Sequence, residues 1–230
     1  MSLVIAIDGP SGAGKSTVSK ELAHRLGIAY LDTGAMYRAA AWWVTRAQID
    51  TTDRQAVAGA VRAMDLSMPL DPFHQTIFMD GDDITKAIRT PEIARSVSTV
   101  STNLAVREIL VSRQRAIIHD AEDGIVAEGR DITTVVAPDA DVRVLLTASA
   151  EQRVARRAAE VRGGTDAQAL ALTRGEVIGR DAKDSTVVDF TEAAAGVTTI
   201  DTTNLTIEEV VQAIIELIPA ERRPAKRGES

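Results

Sequence analysis

Five short, mostly apolar runs recur along the chain, and between them apolar residues return every three or four positions. Short apolar runs predict strands buried on both faces of a parallel sheet, whereas the longer spacing predicts helices that bury one face. The predicted strands cover residues 3–7, 28–31, 124–128, 142–146 and 197–200. Because strands and helices alternate, we predict an α/β fold in which a five-stranded parallel sheet carries helices on both faces.

Several predicted helices have recognisable ends. The first ends before Gly27, a residue type that readily takes the left-handed conformation found after a helix. Thr90, which precedes a proline, and Asn103 have side chains suited to accept hydrogen bonds from the first amides of a helix. Residues 149–152 and 206–209 match the capping-box pattern. These signals place helices after the predicted strands.

Two regions interrupt this alternation. Residues 65–84 change to short alternating runs with proline and Asp-Gly turn signals, which predicts a small antiparallel insertion. Residues 151–190 carry two arginine-rich helical arms joined by Gly163 and Gly164, a pattern that indicates a mobile lid. The same charges could form a solvated helix face, because acidic residues are interleaved with them. Residues 219–230 are polar and basic, so we expect a disordered tail.

A glycine-rich segment follows the first predicted strand. Its spacing, G-x-x-x-x-G-K-[ST], is typical of a phosphate-binding loop, in which backbone N–H groups surround an anion. Lys15 would add a charge for the outer phosphates, and the Ser16 hydroxyl would ligate the Mg²⁺ that bridges two of them. We therefore predict a site for a nucleoside triphosphate and its metal. The predicted loop residues are Gly9, Pro10, Ser11, Gly12, Ala13, Gly14, Lys15, Ser16 and Thr17.

Composition narrows the class of partner. The chain has 230 residues, of which 45% are hydrophobic, enough for one α/β domain with insertions. A formal net charge of −7 and an aromatic content of 3% disfavour binding to nucleic acid polymers. The sequence has no cysteine and no stretch near the ~20 apolar residues that a membrane helix needs, so we expect a cytoplasmic protein. Mononucleotides remain the expected ligands.

Two arginines are candidates for anion binding. Arg130, followed by Asp131, comes at the carboxyl end of the third predicted strand, where open α/β sheets bind ligands, although the two residues could also form a local ion pair. A helix predicted over residues 35–48 places Arg38 in its first turn, where a cation beside the amide dipoles suggests a bound anion. A solvated arginine is the alternative for Arg38.

The order of predicted elements is that of a phosphate-binding NTPase or kinase. A small GTPase would need an Asn-Lys-x-Asp segment near the fourth or fifth strand, and the sequence has none there. A regulatory nucleotide switch is the remaining alternative from a different class. Such a switch would bind nucleotide without transferring phosphate to a small acceptor.

Several segments resemble the bacterial cytidylate kinases, which belong to the nucleoside monophosphate kinases. They are residues 7–16, 31–38 and 128–131, together with Arg180-Asp181 and Asp184-Ser185. The first segment is shared by many phosphate-binding proteins, whereas the second and third are specific to the family. The resemblance extends to about residue 217 and implies ATP- and Mg²⁺-dependent phosphorylation of CMP or dCMP. A kinase for another monophosphate, such as UMP, is the alternative within this class.

The resemblance also implies a domain organisation and a set of partners. A kinase domain over residues 1–218 would have its core at about 1–64, 104–150 and 196–218. A monophosphate-binding insertion would cover about 65–103, and the lid about 151–190. We expect a monomer that binds ATP and CMP or dCMP, and neither nucleic acid polymers nor membranes.

The family's binding residues can be placed one by one on this sequence. Arg38 and Arg130 would hold the acceptor phosphate, and Asp184 would hold the ribose. Cytosine offers an amino donor that suits a carboxylate and acceptors that suit arginine or hydroxyl groups. Its implied ligands are Thr33, Ser98, Arg107 and Asp131. The residues implied to close over ATP, and to act in catalysis with Lys15, are Arg153, Arg157 and Arg180.

Two positions depart from the family's pattern. The family usually has an arginine two residues after the Asp-Ser pair, where this chain has Val187, and it tends to have glycine where Thr133 stands. One phosphate-binding arginine is therefore missing, and we expect a differently shaped turn after Asp131. Lys183 could supply the missing charge.

Overall fold

A parallel sheet of five strands lies at the centre of the protein, of which a computed structural model describes residues 2–223 without the side chain of Arg180. In spatial order the strands are β2 (Ala29–Asp32), β6 (Ile125–Gly129), β1 (Val4–Asp8), β7 (Val142–Thr147) and β8 (Thr198–Asp201). Every neighbouring pair in this sheet runs parallel. The predicted five-stranded parallel sheet is confirmed.

Each strand extends one residue beyond its predicted end. The added residues are polar or glycine: Asp8, Asp32, Gly129, Thr147 and Asp201. These residues still pair with a neighbouring strand, since Asp8 is opposite Gly129 and Thr147 is opposite Asp201. The apolar pattern stops earlier than the strands do, because backbone hydrogen bonding between strands does not require an apolar side chain. Polar groups therefore lie at the carboxyl edge of the sheet, where α/β folds bind ligands.

Helices cover both faces of the sheet, as predicted. They are α1 (Lys15–Leu26), α2 (Thr33–Arg46), α3 (Arg54–Ala63), α4 (Pro91–Ser101), α5 (Leu104–Asp120), α6 (Ala150–Arg162), α7 (Ala167–Asp184) and α8 (Ile207–Leu217). Alternate strand residues enter two separate cores, so that Ala6 packs towards α2 to α5, whereas Ile5 and Ile7 pack towards α1 and α8. The sheet is thus buried on both sides.

The insertion contains three very short antiparallel strands, β3 (Leu66–Ser67), β4 (Phe78–Met79) and β5 (Asp82–Asp83). This sheet confirms the predicted antiparallel insertion. Helix α3, which precedes it, was not predicted. Its start is fixed by Asp53, whose carboxylate accepts hydrogen bonds from two helix amides, and Val57 and Val61 are its largest buried side chains. Val57, Ala58 and Val61 lie on one buried face, so the apolar residues of α3 repeat at helical spacing. The sequence signal for this helix was therefore available.

The predicted caps are confirmed with one exception. Thr90 and Asn103 cap α4 and α5, and the box at residues 206–209 is complete. At the other predicted box only half of the pattern forms. Ser149 Oγ accepts a hydrogen bond from the Gln152 amide at 3.2 Å, but the Gln152 side chain donates to a carbonyl oxygen of a neighbouring loop at 3.3 Å. The glutamine therefore ties α6 to the chain after β8.

Helices α6 and α7 form the two arms predicted for the lid. Gly163 ends α6 with a left-handed backbone (φ +71°), and an ion pair of 2.9 Å between Arg162 and Glu176 joins the two helices. Their mobility stays a prediction. Ala220–Arg222 form a 3₁₀ turn where disorder was expected, and residues 224–230 of the predicted tail lie outside the described residues. Within residues 2–223, the structure contains no helix long and apolar enough to cross a membrane.

Candidate active site

The predicted phosphate-binding loop connects β1 to α1. Gly9, Gly12 and Gly14 have φ angles of +151°, +78° and +93°, in the region that favours glycine. At Gly12 a Cβ atom would also lie 2.5 Å from the carbonyl oxygen of Arg153. Gly14 is the residue before α1 and has no side chain that could cap the helix. The first amides and the positive end of the helix dipole therefore face the loop, as an anion site requires.

Lys15 and Ser16 begin α1 close to the carboxylate of Glu128 at the end of β6. The Ser16 hydroxyl donates to Glu128 Oε1 at 2.6 Å, and Lys15 Nζ donates to the Pro10 carbonyl oxygen at 3.0 Å. Burial, followed by repulsion from Asp32, raises the pKa of Glu128, although Lys15 and Ser16 act to lower it. Sequence reasoning gave Glu128 no role. Its position at the carboxyl end of a buried strand was the available signal.

Arg38 binds a carboxylate at the start of its own helix. Because α2 begins at Thr33, Arg38 lies in the second turn, and its predicted place in the first turn is wrong. Its Nη2 donates to Asp32 Oδ2 at 2.9 Å, and Asp32 Oδ1 accepts a hydrogen bond from the Ala35 amide at 2.8 Å. Burial acts to raise the pKa of Asp32, but the Arg38 guanidinium and the helix amide lower it overall. The positive charge of Arg38 thus has a partner within the protein.

A cavity next to the loop brings together most of the predicted substrate-binding residues. These are Thr33, Arg107, Arg130, Asp131 and Asp184. Apolar wall comes from Val97 of α4 and from Val187 and Val188 after α7. The cavity wall therefore combines charged groups with apolar surface, as expected of a site that binds a base and a phosphorylated sugar.

Asp131 and Arg107 form a buried ion pair in the cavity wall. Arg107 Nη2 donates to Asp131 Oδ2, and Asp131 is 4% exposed. Burial raises the pKa of Asp131, and the guanidinium offsets this effect only in part. Side by side, the two groups present an acceptor and several donors to a ligand in the cavity.

Arg130 links the cavity to the loop. Its Nη1 donates to the Gly9 carbonyl oxygen at 2.6 Å, and its other nitrogens bind Asp181 at 2.9 Å and Asp184 at 3.2 Å. The ring of Phe190 lies 4.5 Å from the guanidinium carbon and is buried, so it supports the plane of the guanidinium. A phosphate bound by Arg130 in the cavity would lie next to the loop.

The predicted lid arginines differ in position. Arg153 of α6 lies against the loop, where its Nη1 donates to the Ser11 carbonyl oxygen at 3.0 Å. Arg157 pairs with Glu160 one turn later on the same helix, at 2.8 Å. The side chain of Arg180 lies outside the described residues. Of the two predicted lid arginines whose side chains are described, Arg153 is therefore the one in contact with the loop.

Arg156, to which the sequence gave no role, is linked to the phosphate-binding loop through Thr202. Its guanidinium donates to the carbonyl oxygen of Thr202 at 2.7 Å and to the hydroxyl oxygen of Thr202 at 2.9 Å. The Thr202 hydroxyl in turn donates to the Ala13 carbonyl oxygen at 3.0 Å. The helical spacing of charges does not distinguish Arg156 from its neighbours on α6, because its partner Thr202 follows the distant strand β8.

Thr133 stands at the position where the family pattern has glycine, and it contacts Asp8 through both its amide and its side chain. Its amide and its hydroxyl both donate to Asp8 Oδ2, at 2.8 and 2.6 Å, and the Ile132 amide donates to Oδ1 at 2.8 Å. Burial raises the pKa of Asp8, and these hydrogen bonds oppose that change. They fix the turn after β6, which carries Arg130 and Asp131, against β1.

Three residues change the predicted substrate set. Within the described part of the chain, the cavity wall includes Ser101 of α4 but neither Ser98 nor Arg38. The wall also includes Tyr37, which sequence reasoning missed and which is 8% exposed. None of the described residues forms a hydrogen bond with the Tyr37 hydroxyl. Burial, followed by repulsion from Asp131, raises the pKa of Tyr37, so the hydroxyl remains a donor.

Residues 5–220 match the family model described as cytidylate kinase. The chain belongs to this family. A relative named cytidylate kinase from Cutibacterium acnes is 46% identical over 222 residues, which cover 96% of this chain and 98% of the relative. Another with the same name, from Streptomyces avermitilis, is 43% identical over 226 residues, which cover 98% of this chain and 96% of the relative. The resemblance to the cytidylate kinase family is confirmed.

A solved structure shares the fold at much lower sequence identity. It belongs to an uncharacterized protein from Eubacterium ventriosum and is 13% identical, with a TM-score of 0.54. The superposition covers 95% of this chain and 99% of the other. Similarity at this level concerns the fold alone, whereas membership of the cytidylate kinase family rests on the sequence match.

Ser16 and Glu128 fit a metal ion that arrives with a nucleotide. Hydroxyl and carboxylate oxygens are ligands that Mg²⁺ prefers. Ser16 Oγ at the start of α1 and Glu128 Oε1 near the end of β6 lie 2.6 Å apart. Among the described residues, no group of three or more His, Cys, Asp or Glu side chains is placed to hold a metal alone. Nucleotide phosphates would therefore have to supply further ligands, as is common for Mg²⁺ in kinases.

Proposed function

We propose that the protein transfers the terminal phosphate of ATP to CMP or dCMP. The observation that carries this proposal is the double contact of Arg130, which lines the cavity and donates to the loop carbonyl of Gly9. Phosphoryl transfer depends mainly on positioning and on neutralising charge, so a donor loop and an acceptor cavity that share an arginine meet its main requirement. Membership of the cytidylate kinase family supports the same activity.

The donor side would be built on the loop of residues 9–17. Its amides and Lys15 would bind the phosphates of ATP, and Arg153 would approach them from α6. Bound Mg²⁺ would supply positive charge to the outer phosphates, held by Ser16 with Glu128 close by. Arg157 and Arg180 stay proposals for lid residues that close over ATP.

The acceptor side would be built in the cavity. Asp131 would accept a hydrogen bond from the cytosine amino group, and Arg107 and Thr33 would donate to the remaining ring acceptors. Asp184 would bind the ribose. Arg130 would hold the phosphate, and Arg38 stays a proposal for the same role. Ser98 stays a proposal, and Ser101 is the α4 hydroxyl that lines the cavity.

The test is a substrate panel. ADP formation from ATP and Mg²⁺ is measured with CMP, dCMP, UMP, AMP and shikimate as acceptors, and we expect CMP and dCMP to give the highest kcat/KM. ATP binding without any acceptor-dependent ADP formation would favour the regulatory switch. A preference for UMP would overturn the assignment of the base. A cytoplasmic location and a monomeric state stay predictions.

Tyr37→Phe should lower kcat/KM for CMP about 2- to 12-fold without reducing stability, because the hydroxyl donates to the substrate and to none of the described residues. Steady-state kinetics and thermal unfolding measure the two effects. Tyr30→Phe is the contrasting variant. The Tyr30 hydroxyl is 3.2 Å from Glu128 Oε1, so its removal should lower the unfolding temperature. Unchanged CMP kinetics in Tyr37→Phe would show that its hydroxyl does not meet the substrate.

Val187→Arg should raise kcat/KM for CMP by roughly 10- to 150-fold, since a well-placed charge-assisted hydrogen bond contributes roughly 1.5–3 kcal/mol. Val187 lines the cavity with Arg130 and Asp184, at the position where the family usually has arginine. A gain in kcat would mean that the contact tightens towards the transition state, whereas a lower KM would mean a contact made on binding. Val187→Leu controls for side-chain size. Unchanged kinetics in a folded Val187→Arg would mean that another cation, such as Lys183, already fills the role.

A further inference from the structure

Asp181 of α7 reaches the phosphate-binding loop. Its Oδ1 accepts hydrogen bonds from the Ser11 amide at 3.2 Å and from Arg130 Nη2 at 2.9 Å. Its Oδ2 accepts a hydrogen bond from Arg153 Nη1. One carboxylate therefore contacts a loop amide, the arginine of the acceptor cavity and an arginine of α6.

These donors are of the kind that proteins use to bind phosphate. Loop amides and arginines form charge-assisted hydrogen bonds with phosphate oxygens. The side chain of Asp181 is 13% exposed, and that of Arg130 is 16% exposed, so solvent screens the contacts only weakly. A nucleotide phosphate that engages the same donors has to take them from Asp181, whose negative charge repels it at short range.

We propose that Asp181 couples the two nucleotide sites by competing with phosphate for their shared donors. This inference rests on the proposed function. The nucleotide that binds first bears the cost of separating Asp181 from the arginines, and the second finds them already released. Each nucleotide therefore raises the affinity for the other, which is positive coupling between the donor and acceptor sites.

Both arginines keep other contacts when the charge of Asp181 is removed. Arg130 still has the Gly9 carbonyl oxygen at 2.6 Å and Asp184 at 3.2 Å, and Arg153 still has the Ser11 carbonyl oxygen at 3.0 Å. Asp181→Asn also preserves the size of the side chain. The variant should therefore fold with its phosphate-binding groups in place.

The experiment measures CMP binding by calorimetry, with and without a non-hydrolysable ATP analogue and Mg²⁺. In the wild type the analogue should raise the affinity for CMP about tenfold, within the range of roughly 5- to 150-fold usual for coupled sites. Asp181→Asn should bind CMP alone more tightly than the wild type does. The analogue should then change its CMP affinity by less than about twofold.

The control is Glu176→Gln, which removes another carboxylate of α7. Glu176 pairs with Arg162 of α6 at 2.9 Å and not with Arg130 or Arg153, so this variant should keep the wild-type coupling. Equal coupling in the wild type and Asp181→Asn, or none in the wild type, would overturn the inference. So would weaker binding of CMP alone by a folded Asp181→Asn, because Asp181 would then support the site.

Thermal unfolding and the substrate panel distinguish a misfolded variant and a wrong proposed function from a wrong role of Asp181. If thermal unfolding shows that Asp181→Asn does not fold, Asp181→Ser removes the same charge with a smaller side chain and carries the same expectations. If the wild type does not phosphorylate CMP in the substrate panel, the proposed function fails. If the wild type phosphorylates CMP but the variant keeps the wild-type coupling, only the proposed role of Asp181 is wrong.

Discussion

Lys15→Met is expected to lower kcat for CMP phosphorylation by at least about 100-fold while the protein stays folded. Lys15 is the first residue of α1, and its amino group lies at the loop, 3.0 Å from the Pro10 carbonyl oxygen. Methionine keeps the length of the side chain but has no charge to stabilise the phosphate oxygens as negative charge shifts during transfer. Steady-state assays of ADP formation, with circular dichroism to check the fold, measure this effect.

Lys20→Met provides the matched control for Lys15→Met. Lys20 lies on the same helix, and its amino group is 5.6 Å from the centre of the Tyr30 ring. Loss of such a cation–π contact costs about 0.5–1 kcal/mol of stability and leaves the loop unchanged. Near-normal turnover by Lys15→Met would remove the basis for assigning the donor site to this loop.

Much of the fold could be predicted from the sequence because its signals are local. Buried strands of a parallel sheet are apolar on both faces, so short apolar runs identified all the strands of the central sheet. Caps at Thr90 and Asn103 were found because the capping side chain and its amides are near each other in the chain. Helix α3 has the same kinds of local signal, a cap at Asp53 and apolar residues at 57, 58 and 61, so it too could have been predicted.

The candidate site was predicted in part. Gly-rich spacing identified the loop, and the resemblance to cytidylate kinases supplied most of the polar side chains that line the cavity. The sequence could not supply the partners of ion pairs and side-chain hydrogen bonds that are distant in the chain. Arg130 and Asp181 are 51 positions apart, and Ser16 and Glu128 are 112 apart. Such pairs depend on which strands and helices are neighbours in space, and hydrophobic periodicity does not record that.

Asp131→Asn is expected to shift the ratio of kcat/KM for CMP to that for UMP towards UMP by about 1–3 kcal/mol, or roughly 5- to 150-fold. A carboxylate in the cavity wall accepts a hydrogen bond from the cytosine amino group and repels the O4 of uracil. The amide of asparagine can donate to that oxygen. The measurement compares kcat/KM for the two monophosphates under identical ATP and Mg²⁺ concentrations.

The buried pair with Arg107 decides how this result is interpreted. Asparagine leaves the Arg107 guanidinium without its carboxylate in a site where Asp131 is 4% exposed, so we also expect a lower unfolding temperature. Asp139→Asn, at an exposed position after the same strand, controls for the loss of one charge. Equal losses with CMP and UMP would mean that Asp131 orients Arg107 and does not contact the base. A change in the ratio requires contact with the group that differs between cytosine and uracil, because a general loss of packing lowers both rates alike.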